Sequence, residues 1–157
     1  MNVPTSVSNR TIHSIDTIDA IDTIEKWAVR YARIAIGVAF LSAVAGRFGL
    51  WSGALEWDRF ARFITRTGAL NAWAPAALVP VLAWSATTLE TTFGIALILG
   101  IATRWVALGS AGLLAWFALA MAVYDGVKAP LDYSVFSASA GALLVALAEH
   151  RARRASL

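Results

Sequence analysis

The uncharged run from Trp105 to Tyr124 most constrains what this chain can form, because Arg104 and Asp125 close it and no charged residue interrupts it. An α-helix rises about 1.5 Å per residue, so about 20 apolar residues cross the hydrocarbon core of a bilayer. Charged residues make up only 15% of the chain, whereas soluble domains contain about 25%. The sequence therefore predicts an integral membrane protein.

Three further segments predict transmembrane helices, each with charges that a membrane tolerates. One contains a single charge, Glu90, and the other two keep their arginines near their ends, where long side chains can reach the headgroups. We therefore predict an all-α fold, with four transmembrane helices in a compact bundle. The predicted spans are residues 28–50, 76–101, 105–124 and 131–149.

The segments outside the spans complete the predicted domain organisation. Residues 1–26 form an N-terminal cytoplasmic or surface segment with an isoleucine at every third position from Ile12 to Ile24, which favours a marginal helix on the membrane or against a partner. Residues 27–150 form the transmembrane domain. Between its first two spans, residues 51–73 interleave aromatic and basic side chains, which is typical of an interfacial amphipathic helix. Residues 151–157 form a basic cytoplasmic tail.

The distribution of charge predicts the topology and restricts the partners. Four spans place both termini on one side, and Lys and Arg near the helix ends are more numerous on that side. The positive-inside rule therefore predicts a multi-pass protein of the cell (inner) membrane with both termini in the cytoplasm. The net charge is only +3 and the basic residues are scattered, so the lipid bilayer is an expected partner and nucleic acid is not.

Residue types limit the chemistry of the chain. It has no cysteine, which excludes disulfides, thiolate zinc sites and iron–sulfur clusters, and no metal site is predicted. Its two histidines, His13 and His150, lie outside the predicted membrane core, whereas haem-binding bundles need facing histidines within it. We expect no covalently bound cofactor.

Glu90 is the principal candidate for function, because it falls near the middle of a span, where an ionised carboxylate is costly unless it is paired or hydrated. Thr87, Thr91 and Gly94 share adjoining parts of its helix face. In one interpretation, Glu90 exchanges a proton with a ligand held between the helices. In the other, the threonines bond to carbonyl groups of their own helix and Glu90 is a structural clamp between two helices.

Arg47 is a candidate partner of Glu90, but helix rise argues against the pairing. If the first span begins near Ala28, Arg47 lies at the outer interface, about 12 Å or more above Glu90. This depth favours an interaction of Arg47 with lipid phosphates.

Two motifs around these residues resemble a known family. The run ETTFGIALILGIATRW from Glu90 to Trp105, and the triplet Gly46-Arg47-Phe48, are similar to the signature of the DoxX/DoxD-like membrane proteins. The resemblance covers residues 27–150, and Arg47 stands where many relatives have lysine. It implies a four-helix membrane protein linked to sulfur or quinone redox chemistry, within complexes of several subunits.

Two hypotheses follow for the function. In the first, the chain is a membrane subunit of a quinone-linked redox complex that binds a small lipophilic ligand, with Glu90 exchanging the proton. The predicted ligand-binding residues are Arg47, Trp84, Thr87, Thr91 and Gly94. In the second, the chain is a non-enzymatic scaffold or assembly factor. Transport is less favoured than either hypothesis, because the broken helices and inverted repeats typical of carriers are absent from the sequence.

Alanines spaced four residues apart in three of the spans allow helices to approach closely. These repeats favour a compact bundle and are equally compatible with a homo-oligomer. Redox-complex subunits are the other expected protein partners.

Overall fold

The computed structural model describes residues 5–155, with side chains from Ala20 onward, and within this part of the chain all regular secondary structure is helical. Short 3₁₀ turns at Leu50–Ser52 and Ala76–Leu78 precede α2 and α3. The helices are α1 (Thr5–Arg47), α2 (Trp57–Leu70), α3 (Val79–Leu99), α4 (Thr103–Tyr124), α5 (Lys128–Asp132) and α6 (Val135–Ala155). The all-α prediction is confirmed.

Three helical stretches in the described chain are long and apolar enough to cross a membrane: Ala20–Arg47, Ala76–Leu99 and Thr103–Tyr124. They contain most of the first three predicted spans. The first span was predicted to reach residue 50, but α1 ends at Arg47 and a left-handed Gly49 (φ 77°) starts the following turn. Glycine adopts this conformation without the strain that a Cβ atom causes.

The fourth predicted span, residues 131–149, is not among these stretches. Leu131 belongs to the separate helix α5, and Ser134 has a left-handed backbone (φ 55°) that separates α5 from α6. The uncharged part of α6, from Val135 to Ala148, therefore rises about 21 Å, which is shorter than a bilayer core of about 30 Å. Hydropathy does not reveal this break, because Asp132 is the only charged residue that precedes Ser134 within the predicted span.

The chain divides into two compact units, Met1–Tyr31 and Ala32–Leu157. In the described part of the first unit, Ile21, Ile24 and Trp27 are exposed, and the guanidinium of Arg30 lies 5.4 Å from the centre of the Trp27 ring. The side chains of the earlier isoleucines in the three-residue repeat lie outside the described residues.

In the second unit, α1 and α3 are antiparallel and cross at two glycines. A Cβ atom on Gly37 would lie 2.8 Å from the carbonyl oxygen of Gly94, and one on Gly94 would lie 3.0 Å from that of Gly37. Arg33 adjoins Gly100 on one side of this crossing, and Arg47 contacts Glu90 on the other. Glycine at both positions allows the two backbones to touch.

Helices α4 and α6 also pack through small residues. Ala107, Ala111, Ala142 and Ala146 are buried, and the hydroxyl of Ser139 on α6 donates to the carbonyl oxygen of Ala111 at 2.8 Å. The alanine repeats of α4 and α6 thus serve packing within the chain.

Helix α2 is buried on one side and exposed on the other. Phe60 and Thr67 are buried, whereas Asp58 and Arg62 are exposed. Just before the helix, Glu56 accepts hydrogen bonds from Ser52 and Arg59. The Arg59 hydrogen bond, followed by that from Ser52, holds the pKa of the Glu56 carboxyl below its usual value.

The close α1–α3 crossing predicts that adding one methyl group at a crossing position lowers the stability of the protein. We expect Gly37→Ala to destabilise the protein by about 1–3 kcal/mol, because the new carbon overlaps a backbone carbonyl that cannot move easily. Gly112→Ala on α4 is the matched control, since a Cβ there meets no atom within 4 Å. Thermal unfolding in mild detergent measures both, and equal stabilities would contradict the close crossing.

Candidate functional site

Glu90 is almost completely buried on α3 (2% exposed) and forms an ion pair with Arg47, the last residue of α1. Arg47 Nη2 donates to Glu90 Oε1 at 2.7 Å, and Nη1 lies 2.7 Å from Oε2. Nη1 also donates to the hydroxyl of Thr87 at 3.2 Å. The guanidinium thus engages both oxygens of the carboxylate, as expected of a side chain with a planar array of donors.

The prediction that Arg47 lies too far above Glu90 to contact it is wrong, and the helix crossing gives the reason. From the Gly37–Gly94 contact, Arg47 lies about 15 Å along α1 and Glu90 about 6 Å along α3 in the same direction. Helical side chains also lean toward the N-terminus of their helix. Because the helices are antiparallel, Arg47 and Glu90 lean toward each other across the remaining offset.

The threonines of the site make their main hydrogen bonds within α3. The Thr87 hydroxyl donates to the carbonyl of Ala83 at 2.9 Å, and the Thr91 hydroxyl donates to the carbonyl of Thr87 at 2.8 Å. Thr87 also accepts the bond from Arg47, so it belongs to the ion-pair site. The Thr91 hydroxyl, by contrast, bonds to a backbone carbonyl of its own helix.

Gly94 and Trp84, the other predicted ligand-binding residues, lie apart from the ion pair. Helix α1 fills the space beside Gly94, where a Cβ atom would meet both Gly37 and Leu41 at 3.0 Å. Trp84 is half exposed and packs against Phe60, with ring centres 4.5 Å apart. The structure therefore brings Arg47 and Thr87 to Glu90, and places Gly94 in the helix crossing.

An aromatic cluster beside the ion pair was not predicted from the sequence. Phe48 stacks on Phe60 with ring centres 4.9 Å apart and also contacts Trp57 and Trp84. The cluster consists of Phe48, Trp57, Phe60, Phe63 and Trp84. The three-residue spacing of the aromatic residues in α2 is a usable signal, but together with the basic residues it predicts only an interfacial amphipathic helix.

The aromatic cluster covers the guanidinium. Arg47 Cζ lies 3.9 Å from the centre of the Phe63 ring, so the cation contacts a ring on α2 as well as the carboxylate on α3. A cation over an aromatic face is stabilised by the ring quadrupole, more strongly where water is excluded. Arg47 therefore joins three helices at one point.

The site has one incompletely satisfied polar atom. Glu90 Oε2 is buried and close to Arg47 Nη1, but within the described chain it makes no hydrogen bond of acceptable geometry. A buried carboxylate oxygen normally accepts a hydrogen bond, so this atom can take one more donor. Among the described residues, no group of three or more Asp, Glu or His side chains could hold a metal ion.

The acidic and basic residues of the loop after α4 make ion pairs of their own. Arg66 on α2 pairs with Asp125, and Lys128 pairs with Asp132 within α5. The first of these fixes the end of α2 to the end of α4.

Comparison with known proteins identifies one family. The family model described as "Methylamine utilisation protein MauE" matches residues 25–128, about two thirds of the chain. No curated protein and no solved structure matches. The resemblance to the DoxX/DoxD-like proteins is therefore wrong: a short motif of one acid, one glycine and apolar residues is not specific enough to separate two membrane families.

The ion pair predicts a large effect of removing one charge. Glu90→Gln leaves the guanidinium of Arg47 with a neutral partner in a buried site, and we expect it to destabilise the protein by about 3 kcal/mol. Thr91→Val is the control, because its hydroxyl bonds only to its own helix. Unfolding in detergent compares the stabilities of the two variants. A Glu90→Gln protein as stable as Thr91→Val would contradict a buried ion pair between Arg47 and Glu90.

Proposed function

This chain belongs to the MauE family of membrane proteins, which is involved in methylamine utilisation, and we propose that it acts there as a non-catalytic membrane subunit, a scaffold or assembly factor. The observation that carries this proposal is the Arg47–Glu90 ion pair. Its two charges compensate each other, and its contacts reach α1, α2 and α3.

The surroundings of the pair support a structural clamp. Thr87 and Thr91 bond to carbonyls of their own helix, and α1 occupies the space beside Gly94. Glu90 therefore serves best as the residue that fixes α1 and α2 against α3.

The charged side of α2 is the surface that such a subunit would offer to other proteins of the same membrane complex. Asp58 and Arg62 are exposed there, and the opposite side of α2 is held by Phe60 and Phe63. In this proposal α2 lies at the membrane interface, because its charged side needs water and its apolar side needs the helices.

A second candidate function is a site for a small lipophilic ligand such as a quinone, as a membrane subunit of a redox complex. The observation that favours it is Glu90 Oε2, a buried oxygen without a well-formed hydrogen bond in the described chain. The hydroxyl of a quinol would donate to this oxygen, and Thr87 and Arg47 would lie beside it.

We also propose that α6 is a fourth span and that both termini lie in the cytoplasm, at the cell (inner) membrane. The packing of α6 along α4 supports this, since α4 is itself long enough to cross a bilayer. The basic residues at the end of α6, Arg151, Arg153 and Arg154, favour a cytoplasmic C-terminus.

A double variant separates the two functions. Replacing a buried ion pair by apolar residues of similar size is often neutral. For a clamp, we therefore expect Arg47→Met/Glu90→Leu to support growth on methylamine in cells that lack their own copy, whereas Glu90→Leu alone fails. If Glu90 handles a proton or ligand, the folded double variant also fails.

The second readout of this experiment is the ligand itself. Wild-type and double-variant proteins are purified in mild detergent and extracted with organic solvent, and quinones are quantified by mass spectrometry. A stoichiometric quinone in the wild type, absent from the double variant, would overturn the clamp as the main role and support the second candidate.

The topology is tested with reporters fused after residue 157. We expect alkaline phosphatase, which is active only outside the cytoplasm, to be inactive there, and green fluorescent protein to fluoresce. A fusion after Asp125 should give the opposite result. An active phosphatase at the C-terminus would mean that α6 does not cross the membrane.

A further inference from the structure

The two ends of the second unit carry their charges differently. Toward one end, near the end of α1 and the end of α4, basic residues have acidic partners; these pairs are Arg47–Glu90, Arg59–Glu56, Arg66–Asp125 and Lys128–Asp132. At the other end, α3 ends, α4 begins and α6 ends. Four basic side chains there have no acidic partner among the described residues: Arg33, Arg104, His150 and Arg154. Unpaired charges beside hydrocarbon are costly, so an anion from outside the chain would stabilise this end.

Arg33 lies against the turn that joins α3 to α4. It belongs to the candidate span Ala20–Arg47, and a Cβ atom on Gly100 would lie 2.5 Å from its Nη1 atom and 3.2 Å from its Cζ atom. Its Nε atom is buried and has no hydrogen-bond partner in the described chain. An arginine that only reached for water would expose its nitrogens. Arg33 is instead held against the protein with a donor unused.

Helices α4 and α6 bring further basic groups to the same end. Arg104 lies in the first turn of α4, four residues after Gly100, with its Cζ atom 4.6 Å from the centre of the Trp105 ring. On α6, the Nδ1 atom of His150 is buried and, in the part of the chain that the structure describes, has no hydrogen-bond partner. The charge of Arg104, then burial and the charge of Arg154, lower the pKa of the His150 imidazole. These cations therefore lie near one another without a negative charge between them.

The beginning of α4 adds backbone donors. Ala102 precedes the helix, and no side chain caps its first turn by a hydrogen bond. The first N–H groups of an α-helix have no partner within the helix, and together with the helix dipole they favour an anion. Donors at this end thus come from α1, α4 and α6. A phosphate group, whose oxygens point in several directions, can accept from all three helices.

We propose that these side chains, the basic end site (Arg33, Arg104, His150 and Arg154), bind a phosphate group, either on the headgroup of an anionic phospholipid or on a soluble phosphate. The planar guanidinium fork matches the oxygens of a phosphate. Basic pockets between membrane helices are typical binding places for anionic headgroups. The bound group would connect α1, α4 and α6 at the end opposite the Arg47–Glu90 pair. This inference does not depend on which of the two proposed functions is correct.

Thermal unfolding of the delipidated full chain in a neutral detergent tests the site. The probes are phosphatidylglycerol, which is anionic, phosphatidylcholine, whose phosphate is neutralised by its own choline, and inorganic phosphate. A ligand that binds only the folded protein raises the unfolding midpoint, and near saturation we expect a rise of about 5 °C. A rise with phosphatidylglycerol alone assigns the site to a lipid headgroup, and a rise with inorganic phosphate as well assigns it to the phosphate group itself. An equal rise with phosphatidylcholine, or no rise with any probe, would overturn the proposal.

Variants locate the effect. Arg33→Gln/Arg104→Gln should lose the rise, whereas Arg62→Gln and Arg151→Gln, which remove exposed arginines, should keep it. Without ligand, the double variant should be at least as stable as the wild type, because it removes charges that have no acidic partner among the described residues. A rise that persists in the double variant, or is lost equally in the controls, would contradict the site.

Native mass spectrometry of the wild-type protein covers the case in which the double variant does not fold. A site retains one phosphatidylglycerol or one phosphate per chain at activation energies that remove phosphatidylcholine. Loss of all three probes at the same energy would overturn the proposal.

Discussion

The burial of one carboxylate in a membrane-spanning helix governs the rest of the site. A charge in hydrocarbon must be compensated nearby, and Glu90 is compensated by Arg47, whose guanidinium engages both carboxylate oxygens and the Thr87 hydroxyl. This requirement brings the end of α1 to α3 and places α2 over the pair through Phe63. The ion pair and the ring of Phe63 thus connect α1, α2 and α3 at one point.

The glycine crossing makes this compensation possible. With Gly37 and Gly94 in backbone contact, the antiparallel helices lie close enough for two leaning side chains to meet. Larger residues at the crossing would separate the helices and leave both charges unpaired. The aromatic cluster then covers Arg47, whose side chain is only 13% exposed, so packing and electrostatics support each other at the same place.

The chain belongs to the MauE family, whose description names methylamine utilisation but no reaction. The resemblance to the DoxX/DoxD-like proteins depended on an apolar motif around Glu90, and such motifs recur wherever one acid must be accommodated in a span. In this chain the buried side of α3 is satisfied by α1 and by carbonyl groups of α3 itself, whereas Ser85, Thr88 and Thr92 on the opposite side are exposed.

The sequence by itself determined that the protein is helical and embedded in a membrane. It also determined the positions of three spans and showed that Glu90 needs a partner. These properties depend on local composition and on the thickness of a bilayer, which can be read along the chain. Only the tertiary structure decided that the partner is Arg47, that Phe63 covers it, and that α6 begins after a break at Ser134. Residues 43 positions apart meet because two helices cross at glycines, and neither the depth of a residue along its own helix nor its hydropathy specifies where that crossing occurs.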